Sequence, residues 1–373
     1  MSVYLDNSAT TKPTKEVADK VYEMLVDKFG NPSSFHKEGL TANDEMRTAR
    51  QAVARALSCQ EEEIYFTSGA TEANNLAIFG AAYANRRKGN RIVTTAIEHE
   101  SVLEATAQLE KEGFEVVRLM PDKQGNITAD QIFDAVNSDT ILVTMMYINN
   151  EVGSVLPVKT IKKAVEKAKA PALIHIDCVQ AFGKVEVKPA KLGADMISVT
   201  AHKIHGPKGV GALYIRPGLP LPPFIHGGGQ ESNFRSGTEN LPGICGFAAA
   251  CAATDAQQEI ARMTDLRDYC RARAQEIPGL VLIGQQAAPH IVNLSLPGLR
   301  SQGIINCLQT KGIYVSAGSA CSKGHRSHVL EAMHLPPAVI DGSVRISFCG
   351  DNTREDVDRL IDALLEAKTT LKG

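Results

Sequence analysis

Several short runs in the first two thirds of this chain are apolar almost without interruption, and helix-patterned stretches separate them. They fall at residues 63–66, 91–95, 115–119, 141–145, 173–176, 196–199 and 211–215, and are rich in valine, isoleucine and aromatic residues. A half-exposed strand alternates apolar and polar residues. These runs do not, so both faces must be covered, as in parallel strands flanked by helices. Helical patterns at residues 71–88, 99–112 and 158–169 supply the cover. The alternation predicts an α/β fold with a doubly wound, mostly parallel, seven-stranded sheet.

Past about residue 245 the rhythm changes. A long alanine-rich helix is predicted over roughly residues 241–277. A strand at 290–295, a helix at 302–311, a strand at 343–347 and a closing helix at 354–371 follow. This mixed pattern predicts a smaller α+β domain. The expected division is a large domain of residues 14–250 and a small domain of residues 1–13 with 251–373.

Composition narrows the function. With 43% hydrophobic residues the chain can bury a large core. Its net charge of −2 and lack of a basic run argue against nucleic acid or an anionic membrane as partner. No apolar stretch approaches the ~18 residues of a membrane span, and the first residues lack a basic-then-apolar signal pattern. None of the 8 cysteines forms a CxxC pair, so neither a metal site nor a disulfide framework is expected. Such scatter fits a reducing, cytoplasmic location.

The chemistry concentrates at strand ends. The strand at 196–199 runs into Thr200-Ala201-His202-Lys203, and Gly206-Pro207 then stop a helix from forming. A lysine at a strand end can be desolvated, which frees its amine for Schiff-base chemistry. An aldehyde cofactor such as pyridoxal phosphate also needs a carboxylate facing its pyridine nitrogen, and Asp177 ends the preceding strand. Thr67-Ser68-Gly69-Ala70-Thr71-Glu72 follows a strand and opens a helix. Thr71 is expected near the N-cap, a ready phosphate site. His99 is placed either to cap a helix or to stack on a planar ring and act as acid or base. Asn150 could reach a cofactor hydroxyl. Gly69, His99, Asn150, Asp177 and Lys203 share one kind of position, the carboxyl end of a strand, where α/β sheets bind ligands. Residues 227–231 and 235–239 read either as a second phosphate-facing loop or as a connector. The glycines of residues 206–211 lack P-loop spacing. Cys321 lies among small residues, with Lys323, His325 and Arg326 to favour its thiolate. Cys245 and Cys251 sit in apolar helix instead.

Together these motifs resemble the group I cysteine desulfurases (the NifS/IscS type) of the class V aminotransferase family, which are fold-type I pyridoxal-phosphate enzymes. Residues 4–11 (YLDNSATT) and 31–34 (NPSS) resemble the family's N-terminal signature. Residues 68–72 (SGATE), Glu98-His99, residues 149–151 (NNE), Asp177 with Gln180, His202-Lys203, residues 235–238 (RSGT) and Ser319-Ala320-Cys321 follow in the family's order. The resemblance implies that Lys203 carries pyridoxal 5'-phosphate, with Asp177 on the ring nitrogen and Gln180 and Asn150 on the ring oxygen. It implies phosphate contacts from Ala70, Thr71, Thr200, His202 and Thr238, the last from a neighbouring subunit. His99 would stack on the ring. Asn31 and Arg345 would bind the carboxylate of L-cysteine. Cys321 would take the substrate sulfur as a persulfide, leaving L-alanine. Thr200 stands where a serine is common. A homodimer is implied, as is a sulfur-acceptor protein, either an iron–sulfur scaffold or a tRNA-thiolation enzyme. An aminotransferase or a selenocysteine lyase uses the same cofactor, and a nucleophilic Cys321 separates the desulfurase from the aminotransferase. A catalytically silent scaffold would have no use for Lys203, Asp177 and Cys321 together.

Overall fold

The computed structural model describes residues 2–253, 256–285, 287–317 and 326–371. The chain opens with β1 (Val3–Tyr4), α1 (Lys15–Val26) and α2 (Lys37–Leu57). Strand and helix then alternate: β2 (Ile64–Thr67), α3 (Ala70–Asn85), β3 (Arg91–Thr95), α4 (Glu100–Lys111), β4 (Glu115–Leu119), α5 (Ala129–Ala135), β5 (Thr140–Met146), α6 (Ile161–Ala168), β6 (Leu173–Asp177), α7 (Pro189–Leu192), β7 (Met196–Thr200) and β8 (Gly211–Ile215). The last third holds α8 (Leu241–Ala253), α9 (Ala256–Ala274), β9 (Val281–Ile283), β10 (Ile291–Ser295), α10 (Ser301–Thr310), β11 (Ile313–Tyr314), α11 (His328–Ala332), α12 (Pro337–Asp341), β12 (Ser343–Ser347) and α13 (Arg354–Thr370).

The large sheet has 7 strands in the order β2-β8-β7-β6-β5-β3-β4. The pairs β3–β4, β3–β5, β5–β6 and β6–β7 are parallel, whereas β8 runs antiparallel to both β7 and β2. Both faces are buried, as the apolar runs require. Val93, Val143 and Ile197 enter one core, while their neighbours Ile92, Leu142 and Met196 enter another across the sheet. A third core gathers Val3 and Leu5 with Val292, Leu294, Val344, Ile346 and the inner face of α13. It rests on the antiparallel sheet β12-β10-β9.

The chain leaves β3 for β4 on one side, then returns to place β5 on the other side of β3. The strand order therefore reverses at β3, between β4 and β5, the position where such sheets open a crevice. The β3–β5 pairing stops at Val93↔Val143. Beyond it two buried side chains fill the widening gap. Met146 N–H donates to Glu98 Oε2 at 2.8 Å, and Asn149 Nδ2 donates to the Ile97 carbonyl at 2.9 Å.

Two features differ from the sequence expectation. The stretch predicted as one helix over 241–277 is described as α8 and α9, with residues 254 and 255 outside the described set. Helices α1 and α2 carry no sequence prediction. In α1 the apolar residues do not form one buried stripe: Val17 and Met24 are buried while Tyr22, Leu25 and Val26 are exposed.

Candidate active site

Strand β7 ends where Thr200 pairs with Gly211, and the chain turns through a short 3-10 helix at Ala201–Lys203. Gly206 permits the turn, because a Cβ there would sit 2.8 Å from the Ala201 carbonyl oxygen. Lys203 Nζ donates to the Ser8 carbonyl at 2.5 Å and to the Ala9 carbonyl at 2.8 Å. Gln180 Nε2 donates to the same Ser8 carbonyl at 2.9 Å, and Gln180 Oε1 accepts from His290 Nε2 at 3.1 Å. The His202 carbonyl accepts from Thr11 N–H and from Thr11 Oγ1, both at 2.9 Å. Burial, with Lys203 and Lys208 nearby, lowers the pKa of His202 to about 4, so its ring is neutral near pH 7. Residues 8–11, distant in the chain, thus form one wall around the lysine.

Asp177 closes β6 and is 5% exposed. Val179 N–H donates to its Oδ1 at 2.9 Å and Asn74 Nδ2 to its Oδ2 at 2.8 Å. Two residues earlier on the same strand face, His175 lies between Thr144 Oγ1 (2.8 Å) and Ser198 Oγ (2.9 Å). Burial lowers its pKa to about 3 and keeps a neutral layer beneath the carboxylate. His99 takes the capping position expected for it. Ser101 N–H donates to its Nδ1 at 3.1 Å, and Ser101 Oγ lies 2.9 Å from the same nitrogen. Asn74 Nδ2 also reaches Ser101 Oγ at 2.9 Å. Asp177 and His99 are therefore joined through two side chains that no local motif marks.

The N-terminus of α3 corrects one expectation. Gly69, not Thr71, is the N-cap, and it makes no side-chain capping bond. Its φ of +152° is open to glycine and strained for other residues, so the cap falls there and Thr71 sits inside the first turn. A Cβ on Gly211 would lie 2.9 Å from Gly69 and 2.7 Å from the Val199 carbonyl oxygen. This close approach holds Ala70 and Thr71 against the end of β7 and Thr200, whose Oγ1 donates to the Val210 carbonyl at 3.2 Å. Glu72 accepts from Ser68 N–H at 2.8 Å and pairs with Arg235 at 2.7 Å.

The remaining predicted residues divide. Arg345 on β12 is buried, and its guanidinium donates to the Asn150 carbonyl (2.9 Å) and to Asp6 Oδ1 (2.8 Å). Its Nε is buried without a partner. Asn150 is tied to Arg345 through its backbone. Asn31 and Thr238 are exposed, and Asn31 Oδ1 accepts from Ser33 N–H in its own turn. The segments carrying them face one another across an open cleft of about 610 Å³, lined by Pro32, Ser33, Gly228, Gly229 and Glu239. The Gly-rich loop is pinned from behind. Arg50 grips Glu231 at 2.7 Å, and Phe66 N–H donates to Glu231 at 2.8 Å. Cys321, Lys323 and His325 lie outside the described residues.

The buried acids Glu98 and Glu151 fall within motifs of the resemblance, but the sequence assigns neither a role. Glu98 accepts from Thr95 Oγ1 at 2.7 Å as well as from Met146, and burial with Asp177 nearby raises its pKa to about 8. Glu151 accepts from Ser327 Oγ at 2.5 Å, and burial raises its pKa to about 7. Neither carries a recognisable spacing signal, because what perturbs them is burial by distant segments.

An enclosed carboxylate, an amine held at a strand end and a helix N-terminus without a side-chain cap form one donor set. It matches a ligand with an aldehyde, a basic ring nitrogen and a phosphate, so these residues fit pyridoxal phosphate. The fold and this set define a cofactor-binding α/β enzyme. A family model described as aminotransferase class-V matches residues 3–360, and the chain belongs to that family. It is 42% identical over 378 residues to a cysteine desulfurase IscS of Methanosarcina thermophila, covering 100% of this chain and 93% of that protein. It is 41% identical to a cysteine desulfurase IscS of Dictyoglomus turgidum, covering 97% and 93%. Among solved structures, one titled NifS-like protein superposes with a TM-score of 0.92 at 38% identity, covering 98% of this chain and 99% of that one. Another, titled SspA in complex with cysteine, gives 0.83 at 32% identity, covering 93% and 99%.

Proposed function

We propose that the chain is a pyridoxal-phosphate-dependent cysteine desulfurase that converts L-cysteine to L-alanine and keeps the sulfur as an enzyme persulfide. The observation that carries this reading is the pairing of Lys203 and Asp177 at neighbouring strand ends, in a chain about 40% identical to cysteine desulfurases over its length. When bound, the cofactor supplies an electron sink that weakens the bonds to the substrate Cβ sulfur and Cα proton. Lys203 holds the cofactor and moves the Cα proton through its Nζ. Asp177 keeps a proton at the ring nitrogen. Gln180 and Asn150 orient the ring oxygen, and His99 lies against the ring. Ala70, Thr71, Thr200 and His202 bind phosphate, with Thr238 from a second copy. Asn31 and Arg345 receive the substrate carboxylate. Cys321 thiolate attacks the substrate sulfur. The S–S bond forms, the C–S bond breaks, and its electron pair ends with a proton on the carbon that becomes the alanine methyl.

The same proposal includes a homodimer and a sulfur-acceptor protein, either an iron–sulfur scaffold or a tRNA-thiolation enzyme, in the cytoplasm. Tyr22, Leu25, Val26, Phe29 and Phe35 are exposed large apolar side chains, Phe35 by 96%, which supports a covering subunit on this side. No helix among the described residues is long and apolar enough to cross a membrane.

The deciding experiment exposes the loaded protein to L-cysteine without reductant and maps added sulfur by peptide mass spectrometry. A persulfide on Cys321, together with alanine release, is expected. Buried Cys178, whose pKa burial raises far above the usual thiol value, should carry none. Sulfur on another cysteine, or a Cys321→Ser variant that keeps the wild-type rate, would replace this reading with an aminotransferase-like one.

A further inference from the structure

Asp177 and His99 project from different strand ends, and the two side chains between them form a directed chain of hydrogen bonds. A carboxylate can only accept, and an asparagine amide nitrogen carries two hydrogens. Asp177 Oδ2, 2.8 Å from Asn74 Nδ2, takes one of them and thereby fixes which way the amide points. The flipped amide would set oxygen against carboxylate. The fixed orientation has a visible cost: Asn74 Oδ1 is buried without a partner. The second amide hydrogen goes to Ser101 Oγ at 2.9 Å. That leaves the serine its single hydroxyl hydrogen, and His99 Nδ1 lies 2.9 Å away to accept it. Ser101 N–H points at the same Nδ1 from 3.1 Å. Two donors on one ring nitrogen make it an acceptor.

We infer that Asn74 and Ser101 are positioning residues that set the tautomer of His99, placing its ring proton on Nε2 and leaving Nε2 as the nitrogen that meets the reaction. The inference rests on the proposed place of His99 beside the cofactor. Asn74 and Ser101 are shielded from water, being 0% and 8% exposed, while His99 itself is exposed. The consequence is chemical. Proton exchange by His99 passes through one nitrogen only, and the orientation of that nitrogen depends on the Asp177 carboxylate. One carboxylate then serves two groups, the ring nitrogen of the cofactor and, through Asn74 and Ser101, the imidazole.

The test uses the pyridoxal-phosphate-loaded protein with nitrogen-15-labelled histidine. A His99→Gln variant identifies the His99 signal among the 10 histidines. The wild type should show a protonated Nε2 and an unprotonated, hydrogen-bonded Nδ1. Ser101→Ala and Asn74→Ala should each shift the Nδ1 signal and weaken the bias between tautomers, since only the Ser101 backbone N–H then holds that nitrogen without a directed hydroxyl. Each should lower kcat about tenfold, the size of one lost hydrogen bond to a working group, with KM close to wild type. Ser101→Thr should restore both signal and rate. A protonated Nδ1 in the wild type overturns the inference even if neither alanine variant folds. Folded alanine variants with wild-type nitrogen signals overturn it as well. Full turnover by His99→Gln would instead remove His99 from the reaction, an outcome that rate measures and the wild-type spectrum does not.

Discussion

The floor of the site and the cleft beside it are built on different plans. At the floor, Lys203, Asp177, Gln180 and His99 each have partners within this chain, and several come from far away in it: Ser8 meets Lys203 across 195 positions and Asn74 meets Asp177 across 103. In the cleft, Asn31 and Thr238 are exposed; Asn31 is held within its own turn, and the loop before Thr238 is held from behind by Arg50–Glu231 and Arg235–Glu72. One half is finished by the fold of a single chain. The other presents fixed, solvent-facing residues, as a surface completed by a second chain would. Chemistry that needs a preset geometry suits the first half, where hydrogen bonds hold these side chains.

The largest effect is expected from Lys203→Ala, which should abolish alanine release. The side chain belongs to none of the three apolar cores, so far-UV circular dichroism should remain native. Loss of the yellow colour of the loaded protein should accompany loss of turnover. A variant with measurable steady-state turnover would take Lys203 out of the mechanism and make the floor merely structural.

Asp177→Asn comes next. It should lower kcat by about a hundredfold or more, the usual scale for losing one preorganised electrostatic partner, while cofactor content falls much less. The proposed phosphate contacts at Ala70 and Thr71 stand on α3, not on β6, and should survive the change. Equal losses of cofactor and rate would show that Asp177 acts in retention only.

The cleft is tested by mixing. Lys203→Ala and Thr238→Ala chains should each be impaired alone. Co-refolded, they should regain activity, because one site of the mixed dimer then carries both native groups. Mixtures no more active than the separate variants, or a fully active monomer in sedimentation, would place Thr238 outside the partner's site.

The floor and the cleft were also unequally legible. Lys203, Asp177 and His99 could be read because each follows a mostly apolar strand, and strand ends are where this class of sheet gathers ligands. The strands themselves were legible for the same reason: a two-faced buried strand tolerates little besides apolar residues. Residues 91–95, 115–119 and 211–215 became β3, β4 and β8 with those bounds. Asn74 was not legible, since it sits inside α3 beside Asn75, and nothing local marks which of the two asparagines is buried. Ser8 acts through its carbonyl, which no side-chain motif encodes. Thr71 was misplaced at the cap because a hydroxyl is the usual signal there, and the unusual φ of Gly69 outranked it. Helix α1 escaped because exposed Tyr22, Leu25 and Val26 blur its amphipathic stripe. An exposed apolar surface confuses a reading that assumes apolar means buried.

The smallest effect sharpens the floor by pH. Glu98 is fully buried, and its pKa is raised to about 8 by burial first, with the Asp177 charge adding to it. In the unfolded chain the same carboxyl titrates near 4.5. A folded-state pKa above the unfolded one means that the native protein binds the extra proton. The associated stability is complete below about 4.5 and is lost as pH rises from there through about 8. Glutamine can keep both contacts: its amide oxygen accepts from Met146 N–H, and its amide nitrogen donates to Thr95 Oγ1. It has no proton to lose. Glu98→Gln should therefore resemble the wild type in acid and gain on it steadily toward alkaline pH, by about 2 °C or more in Tm, the shift that ~1 kcal/mol gives a chain of this size or somewhat smaller. Thermal unfolding of both proteins across that range, in one buffer series at constant salt, measures the difference directly. A difference that stays flat with pH would mean that Glu98 is ionised in the native state. The gap between β3 and β5 would then hold a charge beside Asp177, and the neutral setting of the floor would be wrong.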